Sequence, residues 1–202
     1  MVYAFITHTL PPDTCRVLFS CTFGLEDVSD PEGHGGGDGD NSRRPIDELR
    51  IVRKEQMALV ARQVQSEYSF QKAVSERLIQ GDALSGQEDL LQDAEVGLVR
   101  LAAGDPFQTE KIAIWIGVGK AGFVLVCEPH ENMLQAENQL RIVVRNLQEH
   151  VRAVRTPSEM LEKGDRVAAV VHHFLPSGRI IFMNHALIRQ TEKELELAMK
   201  VK

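Results

Sequence analysis

The sequence predicts an α+β fold, a five-stranded antiparallel sheet flanked by helices in the order β-β-α-β-β-β-α-α-α. Three observations carry this reading. Short runs of aliphatic and aromatic residues fall into two groups, each holding a tight-turn signal, Pro11-Pro12-Asp13 in the first and Gly117-Val118-Gly119-Lys120-Ala121-Gly122 in the second. A long helical stripe separates the two groups, and further helical stripes close the chain. Strands joined by tight turns pair antiparallel, and a sheet with one wet face needs helices on the other.

Each element has its own warrant. Residues 2–10 and 15–23 form a hairpin; in the second run every odd position, from Cys15 to Phe23, is apolar, the period-2 mark of a strand covered on one face. A helix over residues 45–68 follows, opened by Pro45, with Met57, Val60, Ala61, Val64 and Tyr68 on one stripe. Residues 96–102 read as a strand, punctuated by Asp105-Pro106. Residues 112–116 and 123–126 then form a second hairpin. Asn132 with Gln135 signals a helix start, because the Asn side chain accepts from an orphan N–H of the first turn. Leu140, Val143, Val144, Leu147, Val151 and Val154 continue that helix to Thr156-Pro157, where the residue before proline avoids the helical region. Val167, Val170, Val171 and Phe174 mark another helix, Leu175-Pro176-Ser177-Gly178 a turn, residues 179–184 a short extended piece, and residues 185–199 a closing helix.

Length bounds the organisation. A chain of 202 residues is read as one domain spanning 1–202. Two insertions interrupt it. Residues 24–45 carry six acids and five glycines between Glu26 and Asp40, which predicts a mobile loop, since glycine loses much entropy on ordering and like charges repel. Residues 80–95 read as a second, polar loop. The formal net charge of -6 argues against a nucleic-acid partner, which a basic stripe would mark, and offers no footing for a direct role on DNA. Three cysteines, Cys15, Cys21 and Cys127, are an odd number without a C-x-x-C pair, which predicts reduced thiols in the cytosol. No apolar run reaches the roughly 18 residues of a bilayer span, no basic residue precedes the apolar start, and Val2 is no myristoylation site. Membrane contact is expected only through a partner.

Several strings imitate chemistry and fail on context. Gly117-x-Gly119-x-x-Gly122 matches the dinucleotide fingerprint, but Phe123-Val124-Leu125-Val126-Cys127 after it suits a strand rather than the helix that would face a pyrophosphate. The alternative reading is a hairpin turn that needs glycine for positive φ. Gly119-Lys120-Ala121 lacks the Ser or Thr of a phosphate loop. His34-Gly35-Gly36-Gly37 has no G-x-S-x-G elbow to serve. Asp38-x-Asp40-x-Ser42 would need Gly at Arg43 and Glu at Leu49 to be a calcium loop. Glu88-Asp89-Leu90-Leu91 resembles a dileucine signal with Gly86 where the acid belongs. His130-Glu131 lacks the second His of a zinc site. His172 and His173 point about 100° apart on a helix, with His173 expected wet and His172 beside the core. His8, His150 and His185 show no partner. No catalytic, metal or cofactor-binding residue is assigned.

The order of elements, with the sheet beginning at the first residues, resembles the longin-like small subunits of adaptor complexes. Specific strings are similar to the sigma subunit family of the fifth adaptor protein complex. They include Arg53-Lys54-Glu55-Gln56, Val60-Ala61-Arg62-Gln63-Val64 and Arg100-Leu101-Ala102-Ala103 with Pro106-Phe107. Further along stand Trp115-Ile116-Gly117-Val118, His130-Glu131-Asn132 and Phe174-Leu175-Pro176 with Phe182-x-Asn184. The resemblance implies a non-enzymatic subunit without cofactors. Such a subunit sits beside a large zeta subunit, with beta and mu subunits completing a heterotetramer. It also implies association with spatacsin and spastizin, and action in late-endosomal and lysosomal sorting from the cytosolic face. Related sigma subunits help a large partner bind acidic dileucine cargo, although the residues of that pocket do not map onto this chain one by one. Other longin-like modules, a tether or a SNARE-regulatory domain, and an enzyme binding nucleotide at Gly117, Gly119 and Gly122, are the competing classes. Within this frame, Arg179, Ile180, Ile181 and Phe182 are the candidate partner anchors, the alternative being that they complete the chain's own core.

Overall fold

A computed structural model of the chain describes residues 1–24, 46–78 and 94–200. The two expected loops, 24–45 and 80–95, lie outside those residues except for their edges. The sheet contains β1 (Val2–Thr9), β2 (Val17–Thr22), β3 (Glu95–Leu101), β4 (Lys111–Val118) and β5 (Ala121–Cys127). Their order is β2-β1-β5-β4-β3, and every neighbouring pair is antiparallel. The helices are α1 (Ile46–Leu78), α2 (Met133–Val151), α3 (Glu159–Glu162), α4 (Gly164–Phe174) and α5 (His185–Lys200), with a 3-10 turn at Pro176–Gly178.

The sheet has helices on both faces, which corrects the expectation of one wet face. On one side Met57, Val60, Val64 and Tyr68 of α1 pack on Tyr3, Ile6, Trp115, Val124 and Val126. On the other, Leu140, Val143, Val144 and Leu147 of α2 and Val167, Val170, Val171 and Phe174 of α4 cover Phe5, Ile114, Ile116, Phe123 and Leu125. This sandwich explains why β5 is apolar without alternation: every residue of it is buried, so neither face selects polar side chains.

The predicted stripes on α1, α2 and α4 are buried as read, and Asn132 caps α2 by accepting from the Gln135 N–H at 3.2 Å. Boundaries differ for physical reasons. α1 runs ten residues past Tyr68, carried by strong helix formers after the buried stripe ends. α2 stops at Val151, not at Thr156-Pro157, because Arg152 turns left-handed (φ 55) and its N–H bonds back to Gln148 O and Leu147 O. Val154 is buried in the corner that follows rather than in the helix. The four-residue α3 is an additional element. Residues 179–184 form no strand.

The alternation over residues 15–23 is broken. Thr7 pairs with Phe19 but His8 pairs with Val17, so Leu18 is a bulge residue without a partner. Phe19, Cys21 and Phe23 therefore pack on the α2/α4 side, whereas Val17 packs on the α1 side.

Candidate partner-docking surface

The three glycines of the fingerprint-like string sit in a hairpin. Gly117 pairs with Gly122 and Val118 with Ala121, leaving Gly119 and Lys120 as a two-residue loop. Gly119 has φ +60 and Lys120 does not, the pattern of a turn that reserves its first position for glycine. Gly117 and Gly122 are needed for a different reason. A Cβ on Gly117 would stand 2.5 Å from the Tyr68 ring, and one on Gly122 2.4 Å from His8 Nε2. The string that imitates a nucleotide cradle is a place where two rings press close against backbone, and the positive-φ account holds for Gly119 alone.

His8 is fully buried there. Its Nδ1–H donates to the Thr9 carbonyl at 2.9 Å, and its Nε2 has no hydrogen-bond partner. Burial, partly offset by the Thr9 bond, holds its pKa below the ordinary histidine value. Cys15 Sγ is 4.0 Å from His8 Nδ1, but burial raises that thiol's pKa, opposite to what a nucleophile needs. Burial also pushes the Cys21 and Cys127 thiols up to about 12. All three cysteines are free. His172 is exposed and His173 half-buried, with Nδ1 2.8 Å from the Ala169 carbonyl, which reverses the expected order. Among the described residues no cluster of three or more His, Cys, Asp or Glu side chains is arranged to hold a metal. No helix among them is long and apolar enough to cross a membrane. The strings at 34–37, 38–42 and 88–91 lie outside the described residues.

The four candidate anchors form a strap between the 3-10 turn and α5. Its start is fixed at Gly178, where φ is +70 and an added Cβ would stand 2.6 Å from the Val2 carbonyl oxygen, against β1. Its far end is fixed by Met183, whose sulfur is 3.6 Å from Gln139 Nε2, and by Asn184, whose Oδ1 accepts from the Leu187 N–H. Buried Gln139 also donates to the Phe174 carbonyl at 2.5 Å, tying the strap region to α2. Between these ties the side chains divide. Ile180 packs on the core and Ile181 is half-buried, while Arg179 is exposed and Phe182 is 79% exposed. A second apolar feature, not singled out in the sequence, is a shallow groove between β3 and α2. Val96, Leu98, Ile114, Met133 and Leu134 line it, with Leu98 and Leu134 exposed.

Among the described residues, the strap and the groove are surfaces that a partner can hold. Comparison with known proteins accords with that geometry. The family model for AP-5 complex subunit sigma-1 matches residues 1–196. The AP-5 complex subunit sigma-1 of Homo sapiens is 38% identical over 207 residues, covering 98% of each chain. That of Mus musculus is 40% identical over 168 residues, covering 78% of this chain and 92% of the relative. The chain therefore belongs to the AP-5 complex subunit sigma-1 family, whose members are small subunits of a multi-subunit adaptor complex.

Proposed function

We propose that the chain is a non-enzymatic scaffold subunit, held by the zeta large subunit, with beta and mu subunits completing a heterotetramer. In this reading the complex works in the cytosol and, with spatacsin and spastizin, peripherally on late-endosomal and lysosomal membranes in protein sorting. The observation that carries the reading, beside the family match, is Phe182: a large aromatic side chain 79% exposed on a strap fixed at both ends. A rigidly presented aromatic loses little entropy on docking, and burying it contributes on the order of 2 kcal/mol. Arg179 and Ile181 flank it as the rim of the contact, while Ile180 serves the chain's own core.

Native pull-down of the tagged chain with mass spectrometry tests this. Recovery of the large adaptor subunit is expected from the wild type, with a loss of roughly tenfold or more for Phe182→Ala, whose melting temperature should stay near wild type. Unchanged recovery with Phe182→Ala would remove the strap from the interface.

A further inference from the structure

A concavity of about 570 Å³ opens at the C-terminal end of α2, lined by Arg145, Gln148, Glu149, Arg152, Arg155 and Thr156. Its origin is visible in the spacing. Arg145, Gln148 and Glu149 stand at i, i+3 and i+4 on one polar face of α2, and its cap Arg152 follows at i+7. The left-handed turn at Arg152 then folds the chain back, bringing Arg155 and Thr156 to the opposite wall. The corner is braced: Gln148 Oε1 accepts from the Val154 N–H at 2.8 Å and the Arg155 N–H at 3.4 Å, and the Thr156 N–H donates to the Arg152 carbonyl at 2.8 Å.

Three arginines face one glutamate in a chain whose net charge is -6. Among the described residues no carboxylate pairs with the Arg145 or Arg155 guanidinium. Arg152 interacts with Glu159, but that carboxylate bonds first to Lys163. A helix C-terminus attracts cations and would account for Arg152, but that field fades within the last turn and does not reach Arg145. Arg152 also holds φ 55, a conformation that costs a residue other than glycine about 1 kcal/mol, at a position where glycine is the usual occupant.

We propose that this concavity binds a small molecule bearing clustered phosphate monoesters, either free or as the headgroup of a lipid. Planar guanidinium forks match phosphate oxygens two at a time. The Gln148 amide N–H₂ and the Thr156 hydroxyl supply neutral donors at the wall.

The test is calorimetric titration of the full chain with myo-inositol trisphosphate, beside sedimentation with phosphatidylcholine vesicles carrying or lacking phosphatidylinositol bisphosphate. Saturable binding is expected. Arg145→Gln and Arg155→Gln should each weaken it roughly ten- to a hundredfold, the loss of a charge-assisted contact. Arg152→Gly separates structure from binding: it relieves the backbone and should hold or raise the melting temperature while weakening binding by a similar factor. Lys193→Gln, on exposed α5, should change nothing. Vesicle binding that requires the bisphosphate lipid assigns the headgroup, and trisphosphate binding without vesicle binding assigns a free ligand; either supports the site. The proposal is overturned if wild type binds neither probe, if the three arginine variants bind like wild type, or if Lys193→Gln weakens binding as much as they do.

Discussion

Gly117→Ala is the sharpest test of the glycine corner. The added methyl would meet Tyr68 carbons at 2.5 and 2.6 Å and Leu10 Cδ1 at 3.2 Å. Tyr68 is 4% exposed and packs edge-on against Trp115, ring centroids 6.0 Å apart, so it has no open space to retreat into. Overpacking of this kind costs about 1–3 kcal/mol, and displacing the ring forfeits about 0.5–1.5 kcal/mol of aromatic contact. A loss of roughly 2–4 kcal/mol is expected, or a melting temperature lower by roughly 5–15 °C for a chain of this size. Urea unfolding followed by Trp115 fluorescence measures it, since Trp115 is the single tryptophan and lies in the affected contact. Tyr68→Ala leaves a void the methyl can partly fill. The double variant should therefore be more stable than the two single losses predict, by about 1 kcal/mol or more. A Gly117→Ala loss below about 0.5 kcal/mol, or strict additivity with Tyr68→Ala, would refute close approach as the reason for this glycine. NAD and ATP should leave the wild-type melting temperature unchanged; a rise abolished by Gly117→Ala would restore the nucleotide reading.

Two further predictions concern buried titratable groups. His8 has a folded pKa below its unfolded value near 6.5, so the unfolded chain binds the extra proton first. Stability should therefore fall as pH drops below about 6.5, and His8→Asn should flatten that dependence in urea titrations; an unchanged slope would show that His8 does not cause it. Ellman's reagent at pH 8 should modify half-buried Cys15 first. Cys21, equally half-buried but with its thiol pushed up to about 12, should react more slowly, and buried Cys127 only on unfolding; three equal rates would contradict this order.

Much of the molecule is legible in the chain because its causes are local. The α1, α2 and α4 stripes repeat within a turn or two, and the Asn132 cap needs only the N–H three residues on. The strap was visible as apolar residues after a Pro-Ser-Gly turn, but which of them faces outward was not. Gly178 against β1 and Met183 against Gln139 set that division. The arginine concavity drew no reading from the sequence, and Arg155 reaches its wall only because Arg152 adopts a left-handed turn.

Sequence alone determined the class of fold, the order of its strands and long helices and the residues on its buried stripes, since periodicity and capping act over a few residues. Tertiary structure decided the covering of both sheet faces, the Leu18 bulge and the purpose of Gly117 and Gly122. Those depend on Tyr68 and His8, residues distant along the chain whose rings meet the hairpin only after the sheet has closed, and no local pattern encodes such a meeting.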